Sequence, residues 1–541
     1  MPHSSIDIKG FREFFSLATG YREPFDWQLE VAKCILEMDR GILSITAETG
    51  SGKTEAVVIP SLYRGRQVIV VEPYRALIED MIDRFKRVLS RLSRSLGVPY
   101  SLGVDYGGEH FVYECADSAC RELPTRKPFG TDILLTTMDE MLYRLLSVGP
   151  ERKASLYAVL VRMGTPVVFF DEAHSYSTEA ANPLVTLVYE AVSLALYTPV
   201  VVASATLPNA LKAHLRLLAQ RNGLPFAEYA APERPKKTGK ATVHVRVDRV
   251  GVGAILEAVE ELAGREHRTI LVRVVMPERA YEVYASLLGR FKGRYSVGVL
   301  HGRMPNRDRA RVFKALRDDM SSGEPVILVA TPAIEAGVDL DFDAGVIELT
   351  PYRSVEQTLG RINRRYEKPG AEAVLVGVEE QTWEVLAPKS YLQEVLDELA
   401  KICRGSSKVD WESLRRILKG LDEKYVGEEL STPRLLDTYD APYSRLLAAS
   451  FYSLLHLEGT MLEYLAALSK DTYETRGRLD VVVEVEGEPG NYLRIPHYIA
   501  EKLAERGVEI VDRGVVPPAI LKPHNYVKRS GEEVKVRGLV L

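Results

Sequence analysis

Residues 47–54 read AETGSGKT, between an apolar run at 42–46 and a segment that reads as a helix. A strand, a tight loop with two glycines and then a helix in so few residues is met by a parallel sheet wrapped by helices. The backbone amides of such a loop, together with the positive end of the helix that follows, form a cradle for phosphate oxygens. Thr49, Gly50, Ser51 and Gly52 are the candidate cradle. Lys53 is placed to reach the β- and γ-phosphates of a nucleoside triphosphate, ATP in the commonest case, and Thr54 to offer a hydroxyl to Mg²⁺.

Four further strings follow in order: FFDEAH at 169–174, SATLP at 204–208, VATPAIEAGVDLDFD at 329–343 and QTLGRINR at 357–364. The apolar run 166–170 delivers Asp171 and Glu172 to the end of a strand, where Asp171 would share the Mg²⁺ with Thr54. Glu172 would orient or deprotonate an attacking water. His174, three residues on, is placed to couple the nucleotide to Ser204 and Thr206. In QTLGRINR, Gln357 accompanies Arg361 and Arg364, whose spacing puts them on one face if the segment is helical. Planar guanidinium groups suit the charge that develops on a transferring phosphoryl group. PFDWQ, at 24–28, places Gln28 to read an adenine edge with Phe25 stacking nearby.

Apolar runs at 42–46, 67–71, 132–135, 166–170 and 199–203 predict the strands of a first lobe. Runs at 242–248, 269–275, 296–300, 326–330 and 345–349 predict those of a second. The expected division is an N-terminal segment 1–22, a first domain 23–229, a linker 230–241, a second domain 242–380 and a C-terminal accessory region 381–541. The last region shows helical periodicity at 390–403, 411–420 and 442–469. It then mixes short β-like runs with a helix near 497–506 and a hairpin around Ser530 and Gly531.

The formal charge of −5 over 541 residues lacks the basic excess of a passive nucleic-acid coat, so any polyanion contact has to be local. Arg75, Thr136, Thr137, His301, Arg303 and Thr331, all near expected strand ends, are the candidate donors to a nucleic-acid backbone. Four irregularly spaced cysteines fit a reducing, cytoplasmic setting and no disulfide scaffold. The N-terminus has no leader pattern, and Pro199 with the embedded SATLP argues against a membrane helix at 191–212. A charge-rich, amide-poor composition points to a thermophilic source.

Together these motifs resemble the superfamily 2 DExD/H helicases, and IEAGVDLDFD with the run into GRINR is similar to the CRISPR-associated nuclease-helicase of type I interference. The resemblance implies an α/β fold of two tandem RecA-like parallel-sheet lobes plus a C-terminal mixed, largely helical accessory domain. It implies ATP and Mg²⁺ as cofactors and 3′ to 5′ movement on single-stranded DNA. It also implies recruitment to a guide-RNA surveillance complex, and it adds Gly337 and Asp339 as links between nucleotide and strand. One departure stands out. Many members carry an HD-type nuclease ahead of the helicase, but the phosphate loop begins near residue 47 and none of the ten histidines is followed by Asp. An HD-type nuclease acting in trans is therefore expected. An RNA helicase, a repair translocase or an ATP-gated clamp would share most of these motifs. Asp480, Glu484 and Glu486 lie in a run whose alternating valines read as an ordinary half-buried strand.

Overall fold

The structure is a computed structural model. It describes residues 7–21, 23–48, 50–73, 75–106, 109–117, 119–124, 130–138, 140–141, 166–173, 176, 195, 198–232, 241–332, 340–364, 366–384, 386–403, 407–431, 480–488, 492–496, 502–503, 515–516 and 521–540. The expected helices at 442–469 and 497–506 lie outside these residues or nearly so. The chain divides into two compact units with the break after Arg234, and the described residues from 480 onward return to the second unit.

The first unit is built on strands β1 (Gly41–Thr46), β2 (Val68–Glu72), β3 (Tyr100–Tyr106), β4 (Glu109–Ala116), β5 (Ala119–Glu122), β6 (Ile133–Thr137), β7 (Val167–Phe170), β8 (Pro199–Ser204) and β9 (Phe226–Ala230). They form one sheet in the order β5-β4-β3-β6-β2-β7-β8-β1-β9, parallel from β3 to β9 with an antiparallel meander at the β5 edge. The central strands are buried along their length and apolar up to polar carboxyl ends at Glu72 and at Thr136 and Thr137, because both of their faces are covered. Helices α1 (Ile8–Thr19), α2 (Asp26–Glu37), α3 (Lys53–Tyr63) and α4 (Arg75–Leu96) supply one covering layer, with Phe11, Phe15, Ile35, Val57 and Phe85 buried in a common core.

The second unit repeats the plan with β10 (Thr242–Arg246), β11 (Thr269–Arg273), β12 (Ser296–Leu300), β13 (Val326–Ala330), β14 (Ala344–Glu348) and β15 (Glu372–Val376). All ten strands expected in the two lobes are present, so the chain is α/β with two parallel-dominated RecA-like sheets.

The second sheet also recruits segments from beyond residue 380. β16 (Lys408–Asp410) pairs with β10, and β21 (Tyr526–Val527) pairs with β12 and with β22 (Glu533–Val534). The last two strands form the hairpin expected around Ser530 and Gly531. β17 (Asp480–Val485), β18 (Tyr492–Pro496) and β19 (Val515–Val516) make a separate small sheet, and β20 (Lys522–Pro523) pairs with β23 (Arg537–Gly538). Strands of two or three residues carry no periodicity to read, which is why this attachment is invisible in the sequence.

A second departure concerns the cysteines. Cys115 and Cys120 form a disulfide, because the β4–β5 register sets them directly opposite with Cα atoms 4.0 Å apart. Cys34 and Cys403 are free thiols. Among the described residues, no helix is long and apolar enough to cross a membrane.

Tyr526 anchors the chain end. It is fully buried, its hydroxyl donates to Asp319 Oδ2 at 2.9 Å, and its ring lies over Gly298 of β12, where a Cβ would sit 2.5 Å from Cδ2. Gly298→Ala should force the ring off this position and lower stability by about 1–3 kcal/mol in urea unfolding, the usual effect of overpacking.

Candidate functional site

The phosphate loop leaves β1 and turns into α3 at Gly52, whose φ of +93° favours glycine. A side chain there would also collide with Gln28, since a Cβ would lie 2.5 Å from Nε2. Gln28 is buried with both ends of its amide engaged. Nε2 donates to the Gly52 carbonyl at 3.0 Å and Oε1 accepts from Phe25 N at 2.9 Å. The expected adenine reader thus clamps the loop to the start of α2, and the Phe25 ring is largely exposed.

Lys53 and Thr54 open α3 and are buried. Lys53 Nζ donates to the Ala47 carbonyl at 3.2 Å and pairs with Glu172 Oε1 at 3.4 Å. Thr54 Oγ1 donates to Asp171 Oδ2 at 3.2 Å. Two motifs more than a hundred residues apart therefore meet side chain to side chain. Backbone pairing holds the acidic pair in place. Asp171 N donates to Val71 O at 3.1 Å, Glu172 N donates to Asp171 Oδ1 at 2.8 Å, and Glu172 adopts φ +46°. A non-glycine residue in that region is held by its surroundings at an energetic cost, a frequent property of functional turns.

The electrostatics follow from burial. Burial, opposed by Lys53 and reinforced by Glu172, raises the Asp171 carboxyl to about 6. Burial alone would lower the Lys53 ammonium, but Glu172 and Asp171 outweigh it and the net shift is upward. Glu72, at the end of β2, is fully buried, and burial with the two neighbouring acids lifts its carboxyl well above the ordinary range. Ser51 Oγ and both Glu72 carboxyl oxygens have no hydrogen-bond partner among the described residues. Buried polar atoms of this kind mark a place built for a polar ligand. A lysine, a hydroxyl and a carboxylate at a helix start are a donor set that fits a phosphate chain with its magnesium.

Ser204, ending β8, accepts from Thr206 N at 3.0 Å, which folds SATLP into a tight turn beside β7. His174, Thr49, Gly337 and Asp339 lie outside the described residues, as does the Arg75 side chain.

In the second unit, the helix Tyr352–Leu359 carries Gln357 but stops before Arg361. Arg361 and Arg364 therefore do not share a helix face. Ile362 bridges to Phe342, Asn363 adopts φ +44°, and Arg364 N donates to Asp341 Oδ1 at 2.8 Å. Arg361 is buried. The helix is pinned from behind by the buried Arg353–Asp422 pair at 2.9 Å, a contact with no signal in the sequence.

The expected nucleic-acid donors are covered. Thr136, Thr137, His301, Arg303 and Thr331 are each no more than 6% exposed. Arg303 is paired with Glu278, and its carbonyl accepts from Leu539 N at 3.0 Å. His301 and His524 pack together with ring centroids 4.9 Å apart, and Gly538 lies against both rings. The segment Leu521–Val540 thus lies over residues 300–304, LHGRM.

Two family models match this arrangement: the DEAD/DEAH box helicase over residues 25–214, and the C-terminal part of the CRISPR-associated nuclease/helicase Cas3 over 266–367. The first lobe therefore carries a DEAD/DEAH box helicase domain, and the second carries a Cas3-like region. Among curated relatives, the CRISPR-associated helicase Cas3 of Thermoproteus tenax is 26% identical over 509 residues, 87% of this chain and 77% of that protein. The CRISPR-associated nuclease/helicase Cas3 of Methanothermobacter thermautotrophicus is 23% identical, over 59% of this chain but only 38% of its own length. In fold, the chain is similar to the crystal structure of T. fusca Cas3, with a TM-score of 0.63 at 17% identity, covering 96% of this chain and 70% of that one.

The raised Asp171 carboxyl gives a prediction with a definite sign. The folded state holds this proton up to about pH 6, whereas the unfolded chain releases it near the ordinary aspartate value of 3.8. Between those values the folded state binds more protons, so this group's contribution to stability falls as pH rises through the window. Asp171→Asn should therefore raise the thermal midpoint of the nucleotide-free helicase at pH 7.5, and the gain should vanish below pH 4.

Proposed function

We propose that this helicase is an ATP-driven translocase on single-stranded DNA that acts in type I CRISPR interference. The observation that carries the reading is the contact of Lys53 with Glu172 and of Thr54 with Asp171. Phosphate ligation and water activation are then assembled in one buried spot. Thr54 and Asp171 are the residues that would hold magnesium, which when bound neutralises charge on the phosphates.

The chain's own residues divide the work. In the nucleotide-free state Lys53 is occupied by Glu172. An incoming triphosphate offers Lys53 a stronger anionic partner, and the transfer of Lys53 to phosphate frees the Glu172 carboxylate to orient or deprotonate water. Loading the nucleotide thereby arms the base. Arg361 and Arg364 are proposed to stabilise the transferring phosphoryl group when the two lobes come together. That requirement would turn hydrolysis into domain motion. Ser204, Thr206 and His174 are proposed to relay the nucleotide state to the bound strand, with Gly337 and Asp339 doing so in the second lobe.

Movement 3′ to 5′ on DNA and recruitment to a guide-RNA surveillance complex are proposed from the resemblance of the motifs to the CRISPR-associated helicases, and relatives with that name are among those the chain matches. Strand cutting is assigned to a separate HD-type nuclease chain. The Thermoproteus tenax relative, named as a helicase and covered over 77% of its length, supports this division of labour.

ATP hydrolysis by the purified chain should be stimulated by single-stranded DNA. Arg361→Ala should reduce it by roughly a thousandfold, the lower end of the arginine-finger effect. Stimulation by RNA alone would overturn the DNA assignment. Full hydrolysis by Arg361→Ala would remove the arginine from the mechanism.

A further inference from the structure

Glu72 is an anomaly on β2. The preceding residues of the strand, Val68 to Val71, are apolar and buried, and an apolar residue at 72 would continue the core. Instead a carboxyl side chain with no solvent exposure carries two oxygens that meet no partner among the described residues. Leaving an acid buried and unsatisfied costs several kcal/mol in a purely structural setting, as order-of-magnitude transfer data indicate.

Position suggests what it is for. Glu72 stands in register with Thr137 of β6 on one side. On the other, β7 runs parallel with Val71 opposite Phe170, so the next pair along the two strands is Glu72 and Asp171. In parallel strands such partners project to the same face, which for Asp171 is the face of Thr54 at the start of α3. The two cations that bear on Glu72 are committed elsewhere, Lys53 to Glu172 and Arg84 to Glu55. A third acid therefore stands beside the pair that would hold magnesium.

We infer that Glu72 is a positioning residue of the metal–nucleotide site: beside Asp171, it accepts hydrogen bonds from the hydration water of the cation that Thr54 and Asp171 hold. Magnesium retains several waters when it binds with nucleotide, and acceptors for those waters fix the metal's place. The residue stands one position before Pro73 and three before Arg75, a candidate donor to a nucleic-acid backbone. The inference rests on the ATP-site reading above.

The test is Mn²⁺ titration followed by electron paramagnetic resonance, with ADP present, for the wild-type chain, Glu72→Gln and Glu72→Ala. ADP affinity in EDTA and the metal-free thermal midpoint are measured alongside. Both variants should bind Mn²⁺ at least about tenfold more weakly, as expected for loss of an outer-shell partner, with metal-free ADP affinity unchanged. Gln has nearly the same shape as Glu, so restoration of Mn²⁺ affinity in Glu72→Gln would reduce residue 72 to a packing role and overturn the inference. Wild-type Mn²⁺ affinity in both variants, or an equal loss of metal-free ADP affinity, would overturn it too. If the wild-type chain shows no ADP-dependent Mn²⁺ binding, the ATP-site reading itself falls, an outcome distinct from the others.

Discussion

One buried cation holds the first lobe's chemistry together. Lys53 stands at the start of α3 within reach of Glu172, Asp171 and Glu72, and it is the only one of these four groups with a positive charge. Buried acids in such number persist only if a partner compensates them. The phosphate loop, the acidic turn after β7 and the end of β2 are thus mutually dependent. They hold one another in a geometry that a triphosphate can exploit by competing for the same ammonium group. In the proposed function, nucleotide recognition and base activation become one electrostatic exchange.

Much of this was legible before any coordinate. The ten lobe strands are apolar runs that end at motifs, and the requirement that a phosphate loop join a strand to a helix left few alternatives to a parallel sheet. The pairing of Lys53 and Thr54 with the acids at 171 and 172 follows from the same logic, because neighbouring strand ends converge there. Less legible were contacts made by residues whose local sequence looks ordinary. Gln28 reads as a base-recognising amide, yet its donors and acceptors go to Gly52 and Phe25. Arg361 and Arg364 carry helical spacing, but Gly360 and the Phe342–Ile362 bridge take the chain out of the helix first. Glu72 is silent in sequence, being one acid at the end of a valine run. Cys115 and Cys120 become partners only through the register of an antiparallel edge that periodicity did not reveal.

The chain end illustrates how tertiary attachment overrides local reading. β21 joins β12 through a single registered pair, yet Tyr526 fills the space above Gly298, and Gly538 permits His301 and His524 to pack. The LHGRM segment, expected to meet a nucleic-acid backbone, is covered within its own unit. His301 packs against His524, and Arg303 is held by Glu278 and by Leu539 N, so both are buried in this structure. The β-runs at the end of the sequence are therefore part of the second lobe's surface, with direct consequences for what that surface can bind.

The shared counter-ion is the centre of this account, and thermal unfolding of Lys53→Met against the wild-type chain, each with and without ATP and magnesium, tests it most directly. The account predicts that the variant melts at a lower temperature than wild type without nucleotide, because Glu172 loses its ion-pair partner and the buried Asp171 and Glu72 lose the positive charge beside them, and that ATP with magnesium no longer raises its midpoint. A variant that melts like wild type and is stabilised by ATP to the same extent would contradict it.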